Sequence, residues 1–240
     1  MITLTLYIIS LKSMFENTFF LKSLKFCNYF KDKKHINNME IQKNNQTQSK
    51  VLNESQIDDC VIIKGNTQIG KNVVIEGFCI IKDSQIEDNV KIISSHIEDS
   101  KIEKYAQIGP YSKIIKNSVI GENAFIGNFV EIKNSLVGKE TKIKHHAYLG
   151  DAVVGSECNV GCGVIFANYS GKEKHKITVG DNVFIGSNSV LIAPLNIEKN
   201  CYICAGTNLT KDLKENSFVI ARSREIIKEN TAHKYLKKYK

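Results

Sequence analysis

Two adjacent histidines and a tyrosine, His145, His146 and Tyr148, break the monotony of the stretch KIKHHAYLGDAVVG at 142–155. Imidazole titrates close to neutral pH, so a histidine here can take a proton from an attacking group or hold a metal ion. In extended backbone, neighbouring side chains point to opposite faces, so only one of the pair can serve a given site. A hydrogen-bonded structural role for both is the plain alternative, because a histidine by itself is weak evidence of chemistry. A zinc site needs three converging ligands, whereas His96 lies far upstream and His175 falls in a polar stretch. No metal is therefore expected. The seven cysteines (27, 60, 79, 158, 162, 201 and 204) are odd in number and irregularly spaced. Free thiols in a reducing compartment fit them better than a disulfide framework. The single CxxC, CYIC at 201–204, has no second pair and reads as small interior filler.

The element that must position these residues is a repeat. Large aliphatics recur every six residues as Ile63, Ile69, Ile75 and Ile81, again from Ile102 to Ile132, and again from Val179 to Leu209, with slips to five. Neither a helix of period 3.6 nor a simple alternating strand sustains a spacing of six. A hexapeptide period is that of a parallel β-helix, in which three short strands make one coil and an aliphatic points inward on each face. Glycines after the aliphatic, among them Gly109, Gly121, Gly127, Gly150 and Gly186, suit corners that need positive φ or close backbone approach. Stacking coils supply one another's core. The period breaks between Val160 and Val179, where a polar excursion, Asn168–Lys176, is a candidate functional loop.

These patterns divide the chain into an N-terminal extension and linker (1–50), a β-helix domain (51–213) and a basic C-terminal tail (214–240) whose composition admits a short helix. The extension opens with an apolar run too short for the ~20 residues of a membrane span, and it lacks the features of a signal peptide. A cytoplasmic protein without membrane attachment is expected. The net charge is +8, but the lysines are scattered and no aromatic-interleaved basic stripe appears. That favours a small anionic substrate over nucleic acid.

The segment GNFVEIKNSLVGKETKIKHHAYLGDAVVGSECNVGCGVIFANYSGKEKHKITVGDNVFIGSNSVLIAPLNI closely resembles the C-terminal acetyltransferase domain of the bifunctional bacterial GlmU enzymes, within the hexapeptide-repeat acyltransferases. The resemblance runs from about Asn66 to Arg222. It implies an all-β fold, a left-handed parallel β-helix, although the usual crossover rule is right-handed. It further implies a homotrimer with sites between neighbouring prisms and acetyl-CoA as co-substrate. The implied acceptor is an amino-sugar phosphate, glucosamine 1-phosphate, acetylated on the route to UDP-N-acetylglucosamine. The family's uridyltransferase half, with its Gly-rich phosphate loop, has no counterpart in residues 1–50. Acetyl transfer alone is expected of this chain, with a separate uridyltransferase chain as a possible partner.

Residue by residue, the resemblance makes His145 the general base that deprotonates the attacking amine, with Glu131 orienting its ring. Lys133, Tyr148, Asn159 and Lys174 fall at sugar-phosphate positions; Asn168, Tyr169, Ser187, Ala205 and Arg222 fall at acetyl-CoA positions. Cys162 replaces a family alanine near the thioester, a tolerable change if the oxyanion donor is a main-chain N–H. Where the family has a phosphate-binding arginine, this chain has Ile115-Lys116-Asn117, and Lys113 or Lys116 would have to substitute. Three other readings compete: a zinc enzyme like the γ-class carbonic anhydrases, a non-catalytic hexapeptide scaffold, and an acetyltransferase for a different amino sugar or amino acid.

Overall fold

The computed structural model describes residues 49–52 and 54–236; nearly all of the expected extension, and the last four residues of the tail, lie outside them. From Lys50–Val51 to Phe218–Val219 the chain is a run of strands two or three residues long, reaching nine residues only at Phe125–Lys133 and Lys142–Gly150. Pairing is parallel and, outside the coil that holds the excursion, joins residues 16 to 18 apart: Lys50 with Gln68, Gln68 with Gln85, Gln85 with Lys101. One coil is therefore about three hexapeptides, and the fold is a parallel β-helix. One face is a nine-stranded sheet. The other two are joined because the two nine-residue strands continue around the corner between them.

The six-residue period becomes columns of aliphatics along the axis. Ile69, Ile86, Ile102 and Ile120 stack on one face, Ile75, Ile92, Ile108, Ile126 and Ile143 on a second, and Ile81, Ile97, Ile114, Ile132 and Leu149 on a third. All are at most 2% exposed, so each contributes about 1.5–3 kcal/mol of apolar burial. Small residues fill the corners of the interior, and the hydroxyls among them are satisfied. Ser112 donates to the Gly127 carbonyl at 2.6 Å and Thr141 to that of Gly155 at 2.8 Å.

Corners in the left-handed region are occupied chiefly by Asn and Asp, for example Asn72, Asn89, Asn123 and Asn188. Of the glycines that follow an aliphatic, Gly109 has positive φ (100°), while Gly121, Gly127 and Gly186 answer to close backbone approach instead. The excursion lengthens one coil to a step of 25 residues between Ala152 and Ile177. It folds back as a small hairpin in which Tyr169 pairs antiparallel with Lys174 and the Tyr169 hydroxyl donates to the Gly171 carbonyl at 2.7 Å. Past Val219 the only helical element among the described residues is a 3-10 turn, Ala232–Lys234. No helix among the described residues is long and apolar enough to cross a membrane.

Candidate active site at one corner of the β-helix

The two long strands pair around a corner: Asn128 with His145, Val130 with Ala147, Glu131 with Tyr148, and Lys133 with Gly150. One coil on, Asn159 pairs with Lys142 and Ile165 with Tyr148, while the Gly163 N–H donates to the His146 carbonyl at 2.7 Å. Cys162 thus follows His145 in the same column. The Asn188 N–H donates to the Cys162 carbonyl and the Gly206 N–H to that of Ser187, each at 2.8 Å, which adds Ser187 and Ala205. Arg222 closes the series, its Nη1 donating to the Ala205 carbonyl at 2.7 Å. Steps of 17, 25, 18 and 17 residues thus convert positions far apart in sequence into one exposed file of His145, Cys162, Ser187, Ala205 and Arg222.

His145 is exposed, and its Nδ1 lies 3.0 Å from Oδ1 of Asn128. The resemblance implied that Glu131 orients this ring, but Glu131 does not face it. Glu131 lies three residues past Asn128, on the adjoining face, where it stacks beside Tyr148 and pairs with Lys113 at 3.6 Å. His146 also diverges from the sequence argument. It parts from His145 because it occupies the corner itself, with φ 38°, not because of strand alternation. It continues a separate column after Tyr111 and Phe129, whose rings stack 5.7 Å apart.

The face after the corner carries a second group. Lys133 lies in register with Ile115 and Gly150, and Lys113 lies two residues before Ile115 on the same face. Tyr148 and Asn168 meet over Gly150, where a methyl group would lie 2.5 Å from the phenol oxygen and 2.6 Å from the Asn168 amide nitrogen. Asn168 is buried and donates to Asp151 at 2.5 Å; Asn134 donates to the other oxygen of the same carboxylate, also at 2.5 Å. Asn168, placed by the resemblance among acetyl-CoA residues, thus lies beside Tyr148. Burial pushes the Tyr148 phenol above its ordinary value, against a smaller opposing effect of its hydrogen bond to Asn168. It stays a neutral donor through physiological pH.

Asn159 lies on the face before the corner, between Lys142 and Phe184, apart from Lys133 and Tyr148. Lys174 and Tyr169 lie exposed in the hairpin. Within one chain, then, the expected residues fall into a corner file, a neighbouring-face cluster, a residue on the opposite side of the corner and a hairpin. Sequence reasoning missed Asn128, Gly150 and Asp151. The signal for Asn128 was present, because it precedes His145 by one coil of 17 residues. Cys79 and Cys158 are buried and their thiols are pushed up by desolvation, while Cys201 fills the interior and Cys162 is exposed. Among the described residues, no group of three or more His, Cys, Asp or Glu side chains is placed to hold a metal ion.

Residues 96–170 match the GMPPB C-terminal domain family, and residues 176–211 match the hexapeptide repeat of succinyl-transferase. The chain is 49% identical over 185 residues to the bifunctional protein GlmU of Limosilactobacillus reuteri, covering 77% of this chain and 41% of that protein. It is 50% identical over 169 residues to GlmU of Alkaliphilus oremlandii, covering 70% and 37%. The β-helix is homologous to the C-terminal part of GlmU. The chain spans about two fifths of the length of these relatives. Among solved structures, UDP-N-acetylglucosamine acyltransferase from Campylobacter jejuni superposes with a TM-score of 0.57 at 20% identity, covering 69% of this chain and 71% of that one. It shares the β-helical fold.

Proposed function

We propose that this protein is an acetyl-CoA-dependent N-acetyltransferase for an amino-sugar phosphate, with glucosamine 1-phosphate as the first acceptor to test. The observation that carries the reading is the corner file headed by His145, within a β-helix about half identical to GlmU. In this reading the Nε2 lone pair of His145 removes the proton that an attacking amine must lose, a contribution of about 10²–10⁴ in rate. The thioester carbonyl lies next in the file, where the main-chain N–H of Cys162 donates to the developing oxyanion. Ser187 and Ala205 border the path of the pantetheine arm, and Arg222 at the end of the file meets the cofactor's phosphates. Lys133 supplies the cation for the sugar phosphate and Tyr148 a neutral hydroxyl for the sugar.

The separation of Asn159 and Lys174 from Lys133 and Tyr148 supports a homotrimer, in which neighbouring prisms bring these groups together across an interface. Domain limits of 51–213 for the β-helix, with a preceding extension and a following basic tail, go with this reading. So does supply or use of the sugar phosphate by a uridyltransferase. Ile115 beside Lys133 favours one second reading, an acetyltransferase for an amine with a different anionic group or none. The test is CoA release from acetyl-CoA with glucosamine 1-phosphate, comparing wild type with His145→Ala. Turnover that falls at least 10²-fold in the variant supports the reading. Turnover with another amine only moves the protein to the second reading, and none with any amine from a folded protein overturns both.

A further inference from the structure

The hydrogen bond between Asn128 and His145 assigns a role to a residue that carries none in the site described above. We infer that Asn128 is the positioning residue of His145: it fixes which ring nitrogen holds the proton. This inference rests on the reading of His145 as general base.

Asn128 is half-buried and is set in register with His145 by the pairing of the two long strands. Its neighbours keep it there. Gly127 packs so closely on the next coil that a Cβ would overlap the Lys144 carbonyl oxygen, and Phe129 turns the corner with φ 57°. The backbone on both sides of Asn128 is thereby held against the backbone that carries His145. The amide oxygen, Oδ1, faces the imidazole Nδ1 at 3.0 Å. An amide oxygen only accepts, so Nδ1 must carry the hydrogen and the lone pair must sit on Nε2. That is the tautomer able to take a proton from an amine, and the same contact stays satisfied when the ring becomes an imidazolium. Glu131, three residues after Asn128, is engaged with Lys113 on the adjoining face and does not compete. A neutral amide orients the ring without adding a negative charge beside it, so the base is not made too strong to release its proton.

The test compares Asn128→Ala and Asn128→Asp in the full chain, with folding checked by circular dichroism. Asn128→Ala is expected to lower kcat about 10–100-fold while KM for both substrates stays within about two-fold. Asn128→Asp keeps an acceptor in place but makes it an anion, which favours the charged ring. It should retain most of kcat at alkaline pH and move the acidic limb of the rate profile upward by about one pH unit. Independently of turnover, the nitrogen shifts of the His145 ring should report one neutral tautomer, Nδ1–H, in wild type and a mixture in Asn128→Ala. An unchanged kcat in Asn128→Ala, an unmoved limb in Asn128→Asp, or an Nε2–H ring in wild type overturns the inference. A wild type that transfers no acetyl group but shows the Nδ1–H ring would instead sink the proposed activity and leave the positioning contact standing.

Discussion

Gly150→Ala is the most informative single change, because it adds only a methyl group at the meeting point of Tyr148 and Asn168. Gly150 lies in a strand and has no positive φ, so alanine's backbone preferences are not at issue. The difficulty is space. The methyl would lie 2.5 Å from the phenol oxygen, 2.6 Å from the Asn168 amide nitrogen and 2.9 Å from the ring carbon bearing the hydroxyl. Asn168 is buried and held by Asp151, so the phenol must give way and leave the position from which it would meet the sugar. Overpacking of this kind costs about 1–3 kcal/mol, and the reduced freedom of the unfolded chain returns about 0.4–1 kcal/mol. A net loss near 1–2 kcal/mol corresponds to a Tm lower by about 2–8 °C in a chain of this size. A lost neutral hydrogen bond of about 0.5–1.5 kcal/mol lowers kcat/KM by about 2–12-fold. The loss should appear chiefly in KM for the sugar phosphate, since Tyr148 lies on the face with Lys133 and not in the His145 file. Thermal melts by circular dichroism and initial rates of CoA release read the two effects. A variant melting within a degree of wild type, with wild-type KM for the sugar, would refute the packing argument.

Phe166 is the largest fully buried side chain among the described residues and continues the aliphatic interior beside Leu191; Phe166→Ala should cost about 3–5 kcal/mol, read as a lower denaturant midpoint. Ile115→Arg places a guanidinium beside Lys133, and if the phosphate lies there KM for the sugar phosphate should fall about 10-fold, whereas Lys113→Ala should raise it. An unmoved KM in both would place the phosphate elsewhere. The hydrogen bond from Lys82, with the charge of that lysine, holds the Glu98 carboxyl below its ordinary value near 4.5. Its contribution to stability is present above that value and is lost as pH falls through the lowered one. Glu98→Gln should therefore unfold at slightly lower urea than wild type at pH 7 in low salt, and the two should converge in acid or high salt. Persistence of the difference at pH 2 would contradict this account.

The regular spacing of Ile and Val, set by three short strands per coil, was enough to establish the β-helix and its aliphatic columns, because a six-residue period has one stable way to bury every large side chain. The motif around His145 and Tyr148 was legible for the same reason: local sequence determines which residue stands at which position of a coil. What a coil position touches was not legible. Asn128 meets His145 only because one coil is 17 residues long, whereas Cys162 meets Ser187 across a step lengthened by the hairpin. Slips of one or two residues per coil decide these contacts, and they accumulate along the axis. The corner likewise sent His146 into the column of Phe129 and Glu131 to the face of Lys113, since a turn of direction between neighbouring residues outweighs strand alternation. The sequence determined the prism and the kind of chemistry its one unusual coil can do. The stacking of coils alone decided which side chains share a face, because parallel pairing brings together residues that no local pattern connects.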